Sequence, residues 1–359
     1  MTSLLSRRAL RVASAAVAAT IAAAVLAGCA SGADPAAAGS STDPDAGLGD
    51  LTVQLSWVKN EEFSGEFFAD SKGYYTDAGL GTVTLVPGPS TGAAELISGS
   101  ADVALSDAVS IGSVVASEGA PLKIIATTYQ KNPFTVLSLA GGADIATPKD
   151  LIGKKIGVQD SNSALFKALL AANGIDESEL TIVPVQYDPA PLISGEVDGF
   201  IAYLTNESIT VAASGTAVTN LPFADNGLPF VAETVAVTDD TIANDREKLK
   251  AFLVAEIKGW TDAVNDPAAG ANLAVSEYGK DLDLNLDNSI AGATVQAEQL
   301  VVSDETAENG LFTISDALQK ETIKSLAGAG IALKASDLFD LSLLDEVYKE
   351  NPELIAYAG

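Results

Sequence analysis

The sequence predicts an α/β protein of two lobes, and three observations carry that expectation. From residue 51 onward, short apolar, β-branched runs alternate with helical segments, the pattern of parallel strands joined by crossovers. The alternation comes in two blocks, separated by an extended run from Phe134 to Leu139. The blocks also share an echo: Glu95-Leu-Ile-Ser-Gly-Ser-Ala-Asp102 and Pro191-Leu-Ile-Ser-Gly-Glu-Val-Asp198 have Leu-Ile-Ser-Gly-x-x-Asp in common. In each copy a helical turn ends at glycine and an aspartate opens a strand, as expected of one βαβ unit used twice.

In the first block, strands are expected at Leu51 to Leu55, Thr82 to Val86, Asp102 to Leu105 and Leu122 to Ala126. Helices are expected at Ser64 to Ala78, stopped by Gly79, at Thr91 to Ser98, stopped by Gly99, and at Ala108 to Ser117. The second block gives strands at Lys155 to Val158, Thr181 to Val183, Phe200 to Tyr203 and Ala217 to Leu221, with a helix from Ser163 to Ala172 closed by Asn173-Gly174. Val231 to Val237 is extended and carries the chain back to the first lobe. Helices then dominate, at Leu249 to Val264, Ala268 to Tyr278, Ser289 to Val302 and Ala317 to Ala327. The expected division is residues 49–135 with 236–359 in lobe 1, and 136–235 in lobe 2.

The first 48 residues read differently. Arg7, Arg8 and Arg11 precede an apolar stretch from Val12 to Ala27 that ends in Leu26-Ala27-Gly28-Cys29. A basic head, a short apolar core and a small-residue processing site make an export signal over residues 1–28. The core is shorter than the roughly 20 residues that span a bilayer. The string resembles a bacterial lipobox, which makes Cys29 the lipidated first residue of the mature chain, and Ser6-Arg7-Arg8 leaves twin-arginine export open beside the general route. Residues 29–48 are Ala, Gly, Ser, Thr, Asp and Pro with almost no large apolar side chain, so a flexible tether is expected. The expected location is the outer face of the cytoplasmic membrane, with the lipid as anchor.

Composition narrows the chemistry. Cys29 is the sole cysteine and there is no histidine, which removes Ser-His and Cys-His nucleophile pairs and the commonest metal ligand. No catalytic residue, metal site or cofactor is expected. The chain carries 48 acidic and 20 basic residues, net −28; the three leader arginines count within that sum, so the remainder stands near −31. Nucleic acid is therefore not an expected partner. Arg246 is the only arginine beyond the leader, so no arginine fork offers itself to a sulfonate, phosphate or carboxylate. Asp281, Asp283, Asn285 and Asp287 alternate like a calcium loop, but Leu286 and Gly292 stand where glycine and glutamate are needed.

In open parallel sheets, ligands meet the carboxyl ends of strands. Ser106-Asp107 and Thr205-Asn206-Glu207 follow the two echoed strands and are expected to face each other across a cleft. Trp57, Tyr129, Tyr187 and Tyr203 fall at or just beyond strand ends, where flat rings can sandwich a flat heterocycle. Glu207, Asp107 and Asn60 could accept from an amine or ring N–H, and Gln130 could donate or accept. Ser161-Asn162-Ser163 opens a helix after a strand, as a cap or as a seat for an anionic group. Trp260 lies within a helix at apolar spacing and is expected to pack the lobe.

Trp57-Val-Lys-Asn-Glu-Glu-Phe-Ser-Gly-Glu-Phe-Phe-Ala69, then Lys72-Gly-Tyr-Tyr-Thr-Asp-Ala-Gly-Leu80, resembles the opening of solute-binding lipoproteins that serve thiamine-pyrimidine-precursor, riboflavin, nitrate and sulfonate importers. The likeness continues through Gly119-Ala-Pro-Leu122, Pro148-Lys-Asp-Leu-Ile-Gly-Lys-Lys-Ile-Gly-Val158, Gly195-Glu-Val-Asp198 and Lys258-Gly-Trp260, covering residues 51 to about 270. It implies a type II periplasmic-binding-protein fold that closes on a small molecule and delivers it, as a monomer, to an ABC-transporter permease. Tyr203 and Thr205-Asn-Glu207 resemble the pyrimidine-precursor branch; that branch often has a histidine where Glu62 to Ser64 stand here. Riboflavin or a small anion are the alternative ligands. Fungal pyrimidine synthases, similar in fold, depend on histidine and a cysteine-rich segment, and this chain has neither.

Overall fold

Two five-stranded sheets, one per lobe, organise residues 47–357, which are the residues that the computed structural model describes. The leader, Cys29 and nearly all of the tether lie outside the described residues. The strands are β1 (Leu51–Gln54), β2 (Val83–Val86), β3 (Val103–Asp107), β4 (Leu122–Tyr129), β5 (Phe134–Leu139), β6 (Lys155–Val158), β7 (Thr181–Pro184), β8 (Gly199–Tyr203), β9 (Val218–Pro222) and β10 (Ala232–Thr238). Their order is β2-β1-β3-β10-β4 in lobe 1 and β7-β6-β8-β5-β9 in lobe 2.

Helices α1 (Ser64–Ser71), α2 (Tyr74–Asp77), α3 (Ala93–Ser98) and α4 (Ala108–Glu118) connect the strands of lobe 1. Helices α5 (Ser163–Ala172), α6 (Ala190–Ile193) and α7 (Glu207–Ala213) belong to lobe 2. After β10 come α8 (Asp239–Asn244), α9 (Arg246–Asn265), α10 (Pro267–Leu273), α11 (Leu286–Gln296), α12 (Asp304–Asn309), α13 (Asp316–Gly328), α14 (Ala335–Leu338) and α15 (Ser342–Glu350). The expected helix from Ser64 to Ala78 is two helices, because Gly73 takes a left-handed φ of 75° between them. The expected helices from Ala268 and Ser289 each end in a π turn, at Ala274–Tyr278 and Ala297–Val301. Among the described residues, no helix is long and apolar enough to cross a membrane.

The sheets are mixed rather than wholly parallel. β1, β2 and β3 pair parallel, as do β6, β7 and β8, but β10 runs antiparallel between β3 and β4, and β5 antiparallel between β8 and β9. These two reversed strands are the ones the lobes exchange: each enters its sheet from the other lobe rather than over a helix. Because β5 and β10 belong whole to one sheet each, the crossings fall at residues 130–133 and 228–231, a few residues before the expected boundaries. Asn132 ties them together, its Nδ2 donating to the Leu228 carbonyl at 2.9 Å.

The echoed motif does the same physical job in both lobes. Gly99 and Gly195 end their turns at φ 70° and 77°, where only glycine is unstrained. Asp102 Oδ2 accepts from the Thr52 N–H at 2.7 Å, and Asp198 Oδ2 accepts from the Lys155 N–H at 2.8 Å. Each aspartate thus fixes the start of its own strand to the start of the parallel neighbour. Apolar clusters cover both faces of each sheet; Val103 and Ala104, for example, face opposite cores of lobe 1, and Val136 and Leu137 opposite cores of lobe 2.

Candidate functional site

The carboxyl ends of β3 and β8 face one another across a cleft of about 420 Å³, within the range of small-molecule sites. Eight of the eleven candidate side chains line it: Trp57, Ser106, Asp107, Ser161, Tyr187, Tyr203, Asn206 and Glu207. Trp57 from lobe 1 meets Tyr187 from lobe 2 at the mouth, ring centroids 5.1 Å apart and planes tilted by 59°. Deeper in, Tyr203 stands edge-on to Phe134 at 4.7 Å. The Tyr187 hydroxyl shares a 2.9 Å hydrogen bond with Ser161 Oγ.

Both strand-end acids hold the backbone as well as face the cleft. Asp107 caps α4, its Oδ1 accepting from the Val109 and Ser110 N–H groups at 2.8 and 2.9 Å and its Oδ2 from Ser110 Oγ at 2.6 Å. Glu207, the first residue of α7, turns back so that Oε2 accepts from the Tyr203 N–H at 2.8 Å. Burial holds the Glu207 carboxyl above the usual carboxylate range, against the lowering effect of that hydrogen bond. Ser106 Oγ donates to the Thr91 carbonyl at 2.7 Å, which seats the turn before α3 beside the cleft.

Three candidates stand apart from the lining. β4 continues to Tyr129, three residues beyond the expected end, so Tyr129 falls inside the lobe 1 core and its hydroxyl donates to Gln296 Oε1 at 2.6 Å. Gln130 is spent on the fold: Nε2 donates to the Thr313 carbonyl at 2.9 Å and Oε1 accepts from Ser303 Oγ at 3.2 Å. Asn60 is a buried cap, its Oδ1 accepting from the Glu62 N–H at 3.3 Å. Each is committed to a backbone or side-chain partner within lobe 1.

Two lining acids were not among the candidates, Glu62 and Glu233. Glu62 sits in a single 3-10 turn, Glu61–Phe63, ahead of α1. Glu233 occupies a register shift of β10 between Ala232 and Thr234, with φ at 45°. The carboxyls hydrogen-bond to one another, and Ser56 Oγ donates to both oxygens of Glu233, at 3.0 and 3.1 Å. Desolvation pushes Glu62 up to about 8, against the lowering effect of the Glu233 hydrogen bond and with the charges of Glu61, Glu207 and Glu66 adding to the rise. Desolvation, and then the charge and hydrogen bond of Glu62, hold Glu233 well above its ordinary value. Between them they hold at least one proton at neutral pH. The sequence did carry a signal for Glu233, as the one acid in the apolar run Val231-Ala-Glu-Thr-Val-Ala-Val237.

The lining is therefore aromatic, hydroxyl-rich and acidic. Gln159 and Asn162 add amides, Gln159 Nε2 donating to the Ile201 carbonyl at 3.0 Å and its Oε1 accepting from Asn162 at 2.9 Å. Among the described residues no lysine or arginine lines the cleft. Trp260 packs within lobe 1, 1% exposed, its Nε1 donating to Glu66 at 3.3 Å. Among the described residues no cluster of acids is arranged to hold a metal ion; Asn285, from the calcium-like segment, caps α11 instead.

Proteins of several chemistries are similar to this chain. The riboflavin-binding protein RibY of Chloroflexus aurantiacus is 25% identical over 304 residues, which is 79% of this chain and 82% of RibY. The periplasmic aliphatic sulphonate binding protein SsuA of Escherichia coli shares the fold at 15% identity and a TM-score of 0.59, covering 79% of this chain and 94% of SsuA. The desulfurization enzyme DSZB shares it too, at 14% identity and a TM-score of 0.55, covering 84% of this chain and 99% of DSZB. These structural likenesses show a shared fold, and the family rests on sequence. The family described as NMT1/THI5 like matches residues 60–270, more than half of the chain, and the chain belongs to that family.

Proposed function

We propose that this protein is the extracytoplasmic solute-binding lipoprotein of an ABC importer, and that its solute is a flat nitrogen heterocycle such as a thiamine-precursor pyrimidine. The observation that carries the ligand class is the lining: rings from both lobes, acceptor groups between them, and no lysine or arginine among the described residues that line the cleft. Rings stack on a flat solute, while Glu207 accepts from its amino groups. Riboflavin is the second reading, supported by the likeness to RibY. A sulfonate or nitrate is disfavoured, because it would lie against four carboxyl groups, Glu62, Asp107, Glu207 and Glu233. An enzyme is disfavoured by chemistry, since a chain without histidine offers none of the residues on which the fungal pyrimidine synthases depend.

A thermal-shift screen of aminopyrimidines, flavins, purines, sulfonates and nitrate tests this reading. A true ligand at 100 times its Kd should add roughly 2.7 kcal/mol of stability. Stabilisation by sulfonates or nitrate alone would overturn it. The lipid anchor is tested separately: Cys29→Ser should move the protein from the membrane fraction into the medium while its melting temperature stays unchanged. Retention of that intact variant on the membrane would exclude Cys29 as the anchor.

A further inference from the structure

The Glu62–Glu233 contact has a construction that packing alone does not require. Glu233 is a non-glycine residue in left-handed backbone within a strand, a conformation that persists only where its surroundings over-determine it. The register shift that produces it turns the carboxyl into the cleft, against Glu62 and under the Ser56 hydroxyl. The titratable groups that act most strongly on the pair are themselves acids or phenols. Glu61 and Glu66 come from the turn and α1, Glu207 from α7 of the other lobe, Tyr129 from β4 and Tyr203 from β8, with Asp107 next to Tyr203. Behind them Glu66 bonds to Glu256, which in turn accepts from the Tyr75 hydroxyl. No lysine or arginine of the described lining offsets this charge.

We propose that the Glu62–Glu233 pair is the specificity element of the cleft, selecting a solute that is cationic once bound, with an amidine-like N–C–N edge on a flat ring. This narrows the heterocycle reading above and rests on it. Two desolvated carboxyls side by side cannot both ionise without a cation, so a cation laid against them supplies what the site lacks. The proton balance is definite. A solute that arrives charged displaces one proton from the pair to solvent. A solute that arrives neutral takes that proton onto its ring nitrogen, and none is released.

Benzamidine, cationic across the working range, is the probe, with benzamide as its uncharged isostere and riboflavin as a larger uncharged flat solute. Calorimetric titrations from about pH 6 to about pH 9 should show benzamidine binding at least about tenfold more tightly than benzamide. Its affinity should rise with pH, by up to about tenfold per unit, and level off once the pair has lost that proton. Titrations at pH 7 in buffers of different ionisation enthalpy should count one proton released. Glu62→Gln should remove both the proton release and the pH slope while melting no lower than wild type. Equal affinity for benzamide, binding without proton release, or no binding of benzamidine overturns the proposal. Riboflavin binding with a flat pH profile would also overturn it, yet leave the heterocycle reading standing; the anion results of the screen decide that reading on their own.

Discussion

Gly259→Ala should unfold lobe 1 or lower its stability by several kcal/mol, on the order of 3 or more, without any residue of the cleft being touched. Gly259 lies in α9 where that helix crosses α1, and the backbones are close enough that each helix needs a glycine. A Cβ on Gly259 would run into the Gly65 carbonyl oxygen and stand 3.0 Å from both the nitrogen and the Cβ of Ala69. A Cβ on Gly65 would run into the Trp260 indole. The obstacle for Gly259 is backbone, which a rotamer change cannot relieve, so the helices must separate. Separation exposes Trp260 and breaks its bond to the buried Glu66 carboxyl. Chemical denaturation measures the effect, and a variant as stable as wild type would show that the helices can part cheaply. Gly328→Ala is the control, since no atom lies within 4 Å of its Cβ position. That change should be neutral or slightly stabilising, because alanine is the better helix former.

Much of this fold was legible because its strands and turns obey local rules. The seven residues of the echo contain a complete instruction: a helical turn, a glycine to stop it, and an aspartate to fix the next strand to its neighbour. Both copies execute it with the same hydrogen bond. The position of the cleft followed from the same rule, since Asp107 and Glu207 come directly after the echoed strands. What local pattern could not tell was which way a residue faces once a strand deviates. Tyr129 reads as a strand-end ring, but β4 runs on and buries it. Glu233 reads as an awkward acid in a crossing segment, and only the shift in register turns it inward. Strand direction was hidden for a related reason. A reversed strand and a parallel one carry the same apolar run, and only the path of the chain between lobes separates them. Glu62 was missed differently, for it lies inside the very segment that carries the family likeness, where the turn at Asn60 aims it at the cleft.

Trp57→Ala should weaken binding of the solute identified by the screen by roughly 30- to 100-fold, equivalent to about 2–3 kcal/mol. The indole is only partly covered by lobe 1, and its remaining surface faces Tyr187 of the other lobe, so it stands where a flat solute must pass and stack. Truncation removes the largest apolar surface of the cleft while leaving the sheet intact, since the lobe 1 core is built from other side chains. Trp57→Phe should recover most of the loss, because a flat ring remains. Glu207→Gln separates hydrogen bonding from stacking. Its amide oxygen can still accept from the Tyr203 N–H, so the start of α7 is retained, but the group left in the cleft becomes a donor. A solute amino group then loses its acceptor and meets a second donor, a loss of about 1–3 kcal/mol, tenfold or more in Kd. Titration calorimetry on the two variants, with melting curves to verify folding, reads both effects. If the folded Trp57→Ala and Glu207→Gln proteins bind that solute as wild type does, the solute lies elsewhere, and the cleft between Trp57 and Glu207 is not the binding site.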